Sequence, residues 1–141
     1  EIALRRTLAR SKMLSSDVSS AYDALYADAF EKKNVAYLGR GMVFNKFTGA
    51  RGKSGSSDAS AEYLGELRRM MDENGVSYQL AELGRVDLGG GGTIAYIMAR
   101  YGMDVIDNGV AVMSMHAPWE VTSKVDIYEM KKGYDVFLRN A

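Results

Sequence analysis

The chain has 141 residues and is 47% hydrophobic, which is enough for one compact domain with its own core. Its 18 lysines and arginines balance 18 aspartates and glutamates, so the zero formal net charge argues against a dominant surface for nucleic acid or anionic membranes. There is no cysteine, which excludes disulfides and thiolate metal sites and fits a reducing, cytoplasmic location. The apolar runs are too short to span a bilayer.

The first half of the chain predicts two short strands among helical and irregular segments. Apolar spacing favours an amphipathic helix at the start, and alternation favours a strand further along. A polar, glycine-punctuated stretch then follows, which is typical of a loop. The predicted elements are a helix over 2–12, a strand over 13–16, a loop with a helical turn or two over 19–33, a strand over 41–47 and a loop over 48–58.

The second half predicts three helices and three strands. Asp58 is predicted as the N-cap of a helix that ends at Asn74. Ser123 is predicted as the N-cap of the last helix, with Asp126 as its capping-box partner. The remaining elements are a strand over 76–83, a helix that Gly102 ends, strands over 103–106 and 110–113, and a last helix with an apolar face of Ile127, Met130, Tyr134, Phe137 and Leu138. Helices that alternate with short apolar strands predict an α/β sandwich.

Two residues that follow apolar runs are candidates for metal binding. His116 is the only histidine, and it stands beside the only proline and tryptophan, Pro118 and Trp119. A lone imidazole at the end of a buried strand is where an α/β protein would place a metal ligand or a proton-transfer group. Asp17 also follows a buried run, and its carboxylate could bind a hard or borderline cation. Taken singly, each is more often a hydrogen-bonded loop histidine or a turn-capping aspartate, and the residues alone leave both interpretations open.

Two glycine-rich segments offer a nucleotide-binding alternative. Gly90, Gly92 and Ala95 satisfy a G-x-G-x-x-A pattern at the start of a helix, and helix N-termini bind anions. However, residues 84–88 separate this run from its strand, whereas the first glycine of a dinucleotide fold follows the strand at once. The stretch 51–55 contains GKS but lacks the first glycine of a P-loop at the required spacing. Sharp turning of the backbone explains these glycines equally well, and we prefer that interpretation.

Four strings of sequence carry a specific family resemblance. They are LSSDVSSAYD, LGRGMVFNKFTGARGKSGSSDASAEY, ELGRVDLGGGGTIAYIMARYGMDVID and GVAVMSMHAPWEVTSK. In this order and spacing they closely resemble the bacterial branch of the M18, aspartyl-aminopeptidase-like, zinc metallopeptidases, from about Leu4 to near the end of the chain. The resemblance implies a three-layer α/β/α sandwich around a mixed sheet, with two zinc ions at the carboxyl ends of strands. It covers the C-terminal portion of the catalytic domain, so the N-terminal portion and the inserted dimerisation domain are absent from residues 1–141.

The resemblance also implies roles for particular residues. By local match, Asp17 is the aspartate on one zinc ion and His116 is the histidine on the other. Lys46 falls where the family places a substrate-contacting lysine. Lys53 stands where eukaryotic members carry a substrate-contacting tyrosine, and Ser20 stands where they carry a histidine. At these two positions the resemblance therefore does not by itself imply a preference for acidic N-terminal residues, and it leaves the N-terminal residue preference open.

Other groups of the family's site do not occur in this sequence: the upstream His-x-Asp, the bridging aspartate and the Glu-Glu pair that holds the general base. The resemblance therefore implies part of a zinc-dependent aminopeptidase that hydrolyses N-terminal amino acids from peptides and forms homo-oligomers. No catalytic residue is expected in this chain, and no activity is expected of the fragment alone, because an upstream part of the same enzyme would supply these groups. The alternatives are a nucleotide-binding module built on the glycines 89–92 and a non-catalytic structural or oligomerisation fragment.

Overall fold

The computed structural model of the protein describes residues 1–50, 54–85 and 91–141, where helices alternate with short strands. The helices are α1 (Ile2–Leu8), α2 (Ala61–Glu73), α3 (Ala95–Ala99) and α4 (Lys124–Asn140), with a 3₁₀-helix over Ala24–Ala29. The strands are β1 (Lys12–Ser16), β2 (Ser19–Ser20), β3 (Met42–Asn45), β4 (Phe47–Ala50), β5 (Ser54–Asp58), β6 (Tyr78–Leu80), β7 (Asp104–Gly109), β8 (Ala111–Met113) and β9 (Val121–Thr122). None of these helices is both long enough and apolar enough to cross a bilayer.

The central sheet is mixed and has the spatial order β1-β7-β3-β6. β1 runs parallel to β7 and β3 runs parallel to β6, whereas β3 and β7 are antiparallel. After a break, the segments that form β1 and β7 pair again as β2 and β8, and β9 adds an antiparallel strand. The register is unchanged across the break, since Ser16 pairs with Asn108 and Ser19 pairs with Ala111. The predicted α/β fold with a mixed sheet is confirmed.

Helices α2 and α4 cover one face of this sheet and enclose the larger apolar core. Phe44 and Ile106 from the sheet meet Leu67 from α2, and all three side chains are almost completely buried. Burial of such a side chain stabilises the fold by about 2 kcal/mol. Gly133 allows α4 to approach β3 closely, because a Cβ at that position would lie 2.4 Å from Sδ of Met42, the first residue of β3. α3 contacts β7 and β5.

The segment 48–58, predicted as a loop, instead contributes two strands. β4 and β5 form an antiparallel hairpin in which Thr48 pairs with Ser57, and both residues are buried. The Thr48 hydroxyl also donates a hydrogen bond to the carboxylate of Asp107 on β7. Serine, glycine and threonine give no apolar alternation, so the sequence pattern does not reveal a hairpin that is fixed by tertiary hydrogen bonds.

Two predicted boundaries near the ends of helices are wrong. α1 ends at Leu8, and Lys12, predicted to belong to that helix, begins β1. Asp58 does not cap α2, because it is the last residue of β5. The N-cap is Ser60, whose Oγ accepts a hydrogen bond from the N–H of Tyr63 at 3.1 Å. Serine at the N-cap satisfies a helix N–H as well as aspartate does, so residue type alone does not favour Asp58, the predicted cap, over Ser60.

Asp126 is also not the capping-box partner of Ser123. Its side chain is fully buried, and its two carboxylate oxygens accept the backbone N–H groups of Gly39 at 2.8 Å and Gly41 at 2.7 Å. Ser123 is the N-cap residue of α4, but its side chain makes no capping hydrogen bond. Asp126 therefore ties α4 to the turn that leads into β3.

The apolar face predicted for α4 is only partly buried. Phe137 is buried, but Ile127 and Leu138 are 44% and 79% exposed. The buried side of the helix includes two acidic residues, Asp126 and Glu129. Because these carboxylates bind backbone N–H groups of neighbouring loops, this helix is not oriented by its apolar residues alone.

Candidate metal centre and substrate-binding edge

Asp17 lies in the break between β1 and β2, where the backbone of the neighbouring segment comes very close. Its N–H donates to the carbonyl oxygen of Asn108 at 2.8 Å. Its own carbonyl oxygen packs against Gly109, where a Cβ would lie 1.4 Å from that oxygen, so only glycine fits. The side chain is exposed, and within the described ranges its carboxylate accepts one hydrogen bond, from the N–H of Val18 to Oδ1 at 2.7 Å. Among these residues, the other carboxylate oxygen, Oδ2, accepts no hydrogen bond.

His116 lies in the loop between β8 and β9, which turns sharply. His116 has φ 68° and Ser114 has φ 58°, so two residues other than glycine adopt the left-handed region within three positions. Each such residue costs on the order of 1 kcal/mol or more. The N–H of His116 donates to Glu120 Oε1 at 2.6 Å, which helps to hold this backbone in place. The imidazole itself is exposed.

The two candidate ligands follow strands of two different sheets, Asp17 the four-stranded sheet and His116 the three-stranded one. Asp17 follows β1, and His116 stands three residues beyond Met113, the last residue of β8. An accessible carboxylate and an accessible imidazole are donors that zinc accepts in proteins. Across residues 1–50, 54–85 and 91–141, however, no group of three or more histidine, aspartate or glutamate side chains is arranged to hold a metal ion. The two residues suit zinc, and they do not form a complete site by themselves.

A buried carboxylate near Asp17 did not enter the set of predicted site residues. Asp107 is 3% exposed, and its Oδ2 accepts hydrogen bonds from the hydroxyls of Thr48 and Thr93, each at 2.8 Å. Burial raises the pKa of Asp107, the hydrogen bonds oppose this rise, and the negative charge of Asp17 adds to it. Among the described residues, Asp107 Oδ1 and the Ser15 hydroxyl are buried without a partner. The sequence feature that could have identified Asp107 is its position as an acidic residue inside an otherwise apolar run.

Two tyrosines hold β1, the strand that leads into Asp17. The hydroxyl of Tyr63 on α2 donates to the carbonyl oxygen of Met13 at 3.2 Å, and burial raises the pKa of Tyr63, which keeps it a donor. The hydroxyl of Tyr134 on α4 lies 2.5 Å from Ser16 Oγ, directly before Asp17. Both covering helices therefore help to position this end of the strand.

Lys46, the predicted substrate-contacting lysine, follows β3 directly and forms an ion pair. Its Nζ lies 2.5 Å from Asp58 Oδ1, and both side chains are partly exposed. Burial raises the pKa of Glu82, the negative charge of Asp58 adds to this rise, and the positive charge of Lys46 opposes it. Lys53, the other predicted substrate-binding residue, lies outside the described residues.

The glycine-rich candidate for phosphate binding is described only in part. Gly89 and Gly90 lie outside the described residues, and α3, which follows, is five residues long. Its N-cap residue, Ile94, makes no side-chain capping bond. Thr93 accepts a hydrogen bond from the N–H of Ala95 at 3.3 Å while donating to Asp107. This turn is therefore anchored to β7 by threonine.

Comparison with known proteins identifies the family. A model of the family described as Aminopeptidase I zinc metalloprotease (M18) matches residues 2–138. The probable M18 family aminopeptidase 1 of Clostridium acetobutylicum is 62% identical over 140 residues, which is 99% of this chain and 30% of that protein. The crystal structure of aminopeptidase I from the same organism superposes with a TM-score of 0.93 at 62% identity, covering 99% of this chain and 31% of the solved one.

A more distant solved structure is the S. cerevisiae mApe1 dodecamer, with a TM-score of 0.77 and 21% identity. It covers 97% of this chain and 28% of the yeast chain, and at this identity the likeness shows the fold alone. The chain thus spans about 30% of the length of the relatives that it matches. Because the family model matches nearly every residue, this chain belongs to the M18 family of aminopeptidase I zinc metalloproteases.

Proposed function

We propose that this chain is the C-terminal portion of the catalytic domain of a zinc aminopeptidase that removes N-terminal amino acids from peptides at a two-zinc site. The observation that carries the proposal is the pair Asp17 and His116. In a chain of the M18 family, both have accessible side chains, and both follow strands of the neighbouring segments that pair in parallel as β1 with β7 and as β2 with β8. No catalytic acid or base is assigned within this chain, and the general base is expected from another part of the enzyme.

The bound zinc would polarise the scissile carbonyl and lower the pKa of the attacking water. Asp17 would supply a carboxylate oxygen to one ion, and its backbone is fixed by Asn108 and by close packing on Gly109. His116 would supply a neutral imidazole nitrogen to the other ion, from a loop held by Glu120. A carboxylate and an imidazole differ in charge, so the two ions would differ in net charge. Lys46 and Lys53 would contact the peptide substrate.

The remaining parts of the proposal concern partners and location. An upstream part of the same enzyme would supply the other metal and catalytic groups, and the assembled enzyme would be a homo-oligomer. The lack of cysteine supports a cytoplasmic location. Membership of a zinc metalloprotease family does not favour the nucleotide-binding alternative.

We test the metal assignment in the full-length enzyme that contains this chain. Mutation of a group that only supports a metal ligand lowers metal affinity or activity by about 10–100-fold. Asp17→Ala or His116→Ala removes a ligand itself, so kcat/KM for a leucyl peptide should fall by at least about 100-fold. Zinc content, measured by mass spectrometry of the metal, should fall in both variants. Asp28→Ala, which removes an exposed aspartate from the 3₁₀-helix, is the matched control and should change neither quantity. Full activity and full zinc content in the Asp17 or His116 variant would refute the assignment.

A further inference from the structure

The ammonium group of Lys46 already has a negative partner within this chain. Lys46 follows β3 and Asp58 ends β5, and the ion pair joins them at 2.5 Å. The backbone reinforces this arrangement, because the carbonyl oxygen of Lys46 accepts the N–H of Ala59 at 2.8 Å. Lys46 is therefore not an unopposed positive charge at the proposed substrate-binding edge.

A second carboxylate stands at the same edge. β3 and β6 are parallel, and Phe44 pairs with Leu80, so Lys46 and Glu82 each stand two residues beyond a paired position. The pairing continues past the end of β6, since the N–H of Ala81 donates to the carbonyl oxygen of Phe44 at 3.0 Å. The influence of Asp58 and Lys46 on the pKa of Glu82 agrees with this proximity. One lysine and two carboxylates give this group a formal charge of −1 when all three are ionised.

The group lies beside the candidate metal ligand without touching it. Asp17 is level with Gly109, which pairs with Val43 on the antiparallel strand β3. Lys46 is therefore two strands across and three residues back along β1, at the level of Leu14. These steps correspond to about 10 Å across the sheet and about 10 Å along it. At this separation a side chain of the substrate, rather than its scissile carbonyl, would meet the three charges.

Resting on the proposed aminopeptidase function, we propose that Asp58 and Glu82 determine specificity by making the Lys46 subsite reject acidic N-terminal residues and accept uncharged and basic ones. Asp58 neutralises the lysine that would otherwise attract a carboxylate. Glu82 adds a negative charge that repels an acidic side chain and attracts a basic one. Like charges placed together at a binding surface disfavour the wrong ligand strongly, so a small number of residues can reverse the preference.

The test compares glutamyl-, leucyl- and lysyl-p-nitroanilide as substrates of the full-length enzyme. The unmodified enzyme should show kcat/KM for the leucyl and lysyl substrates at least about tenfold above that for the glutamyl substrate. In the double variant Asp58→Asn with Glu82→Gln, the ratio of glutamyl to leucyl kcat/KM should rise at least about tenfold, mainly because KM for the glutamyl substrate falls. The ratio of lysyl to leucyl kcat/KM should fall. Glu82→Gln alone, which keeps the Lys46–Asp58 pair, should shift both ratios in the same directions as the double variant does.

The control is Asp135→Asn, which removes a carboxylate that pairs with Lys131 on the exposed side of α4 and should leave all three ratios unchanged. A glutamyl preference in the unmodified enzyme, or unchanged ratios in a folded double variant, would overturn this inference while leaving the aminopeptidase function intact. Hydrolysis of none of the three substrates would overturn the proposed function and this inference with it.

Discussion

At the scale of single residues, the candidate metal ligand Asp17 depends on a glycine in another strand. The carbonyl oxygen of Asp17 occupies space that any side chain at Gly109 would need. Gly109 pairs with Val43 on β3, so it is enclosed by strands on both sides and cannot move away easily. The position of the aspartate is therefore set by backbone packing as well as by its own hydrogen bonds.

We predict that Gly109→Ala displaces Asp17. A Cβ at 1.4 Å from a backbone oxygen forces the two strands apart, which should destabilise the protein by more than about 2 kcal/mol and lower its zinc content. Thermal unfolding and metal analysis measure both effects. The control is Gly65→Ala, since Gly65 lies in α2 with open space around its Cα. This substitution should stabilise the helix by about 0.5–1 kcal/mol, and equal melting temperatures for the two variants would contradict the packing argument.

At the scale of elements, α4 is attached to the sheet through acidic side chains. Asp126 binds the backbone N–H groups of Gly39 and Gly41, before β3. One turn further along, Glu129 Oε2 accepts the N–H of Ser77, before β6, at 2.7 Å. The helix therefore fixes the entry points of the two strands that lead to Lys46 and Glu82.

This attachment predicts a dependence of stability on pH. The hydrogen bond from Ser77, followed by that from Lys132, holds the pKa of Glu129 below its usual range. Its contribution to stability is therefore complete above the unfolded pKa of about 4.3 and is lost as the pH falls through the lower folded pKa. Glu129→Gln should reduce the free energy of unfolding by about 1 kcal/mol at pH 7 and by less in strong acid.

Urea unfolding of the unmodified chain and the Glu129→Gln variant, at neutral pH and below pH 4, measures this difference. The control is Glu73→Gln, which breaks an exposed pair with Arg69 on α2 and should change stability by at most a few tenths of a kcal/mol. If the free energy of unfolding falls by the same amount between neutral and acid pH in the Glu129→Gln variant and in the unmodified chain, this carboxylate does not stabilise the fold through its charge.

At the scale of the whole molecule, the two proposed zinc ligands lie in a chain that spans about 30% of the length of its relatives. We predict that the purified 141-residue chain does not hydrolyse aminoacyl substrates, because the proposal assigns the general base and the remaining metal ligands to another part of the enzyme. The full-length enzyme, assayed with zinc under the same conditions, is the positive control. Zinc-dependent turnover by the short chain that Asp17→Ala abolishes would show that a complete site exists within these residues.

The sequence by itself determined the family, the mixed α/β fold and the placement of Asp17 and His116 after strands. Each of these depends on local strings, such as SSDV and MHAPWE, or on short apolar runs bounded by turn residues, which predict buried strands. Their roles as zinc ligands stay predictions.

The tertiary structure decided the features that arise between distant segments. These features are the hairpin of β4 and β5, the inward carboxylate of Asp126, the buried Asp107 network and the pairing of Lys46 with Asp58, and local sequence patterns predict none of them. In a sequence, an acidic residue in a polar segment predicts a solvent-exposed cap or turn. Folding brings a backbone N–H, a hydroxyl or an ammonium group to the carboxylate. Only that contact shows that the carboxylate is a buried anchor or an ion-pair partner.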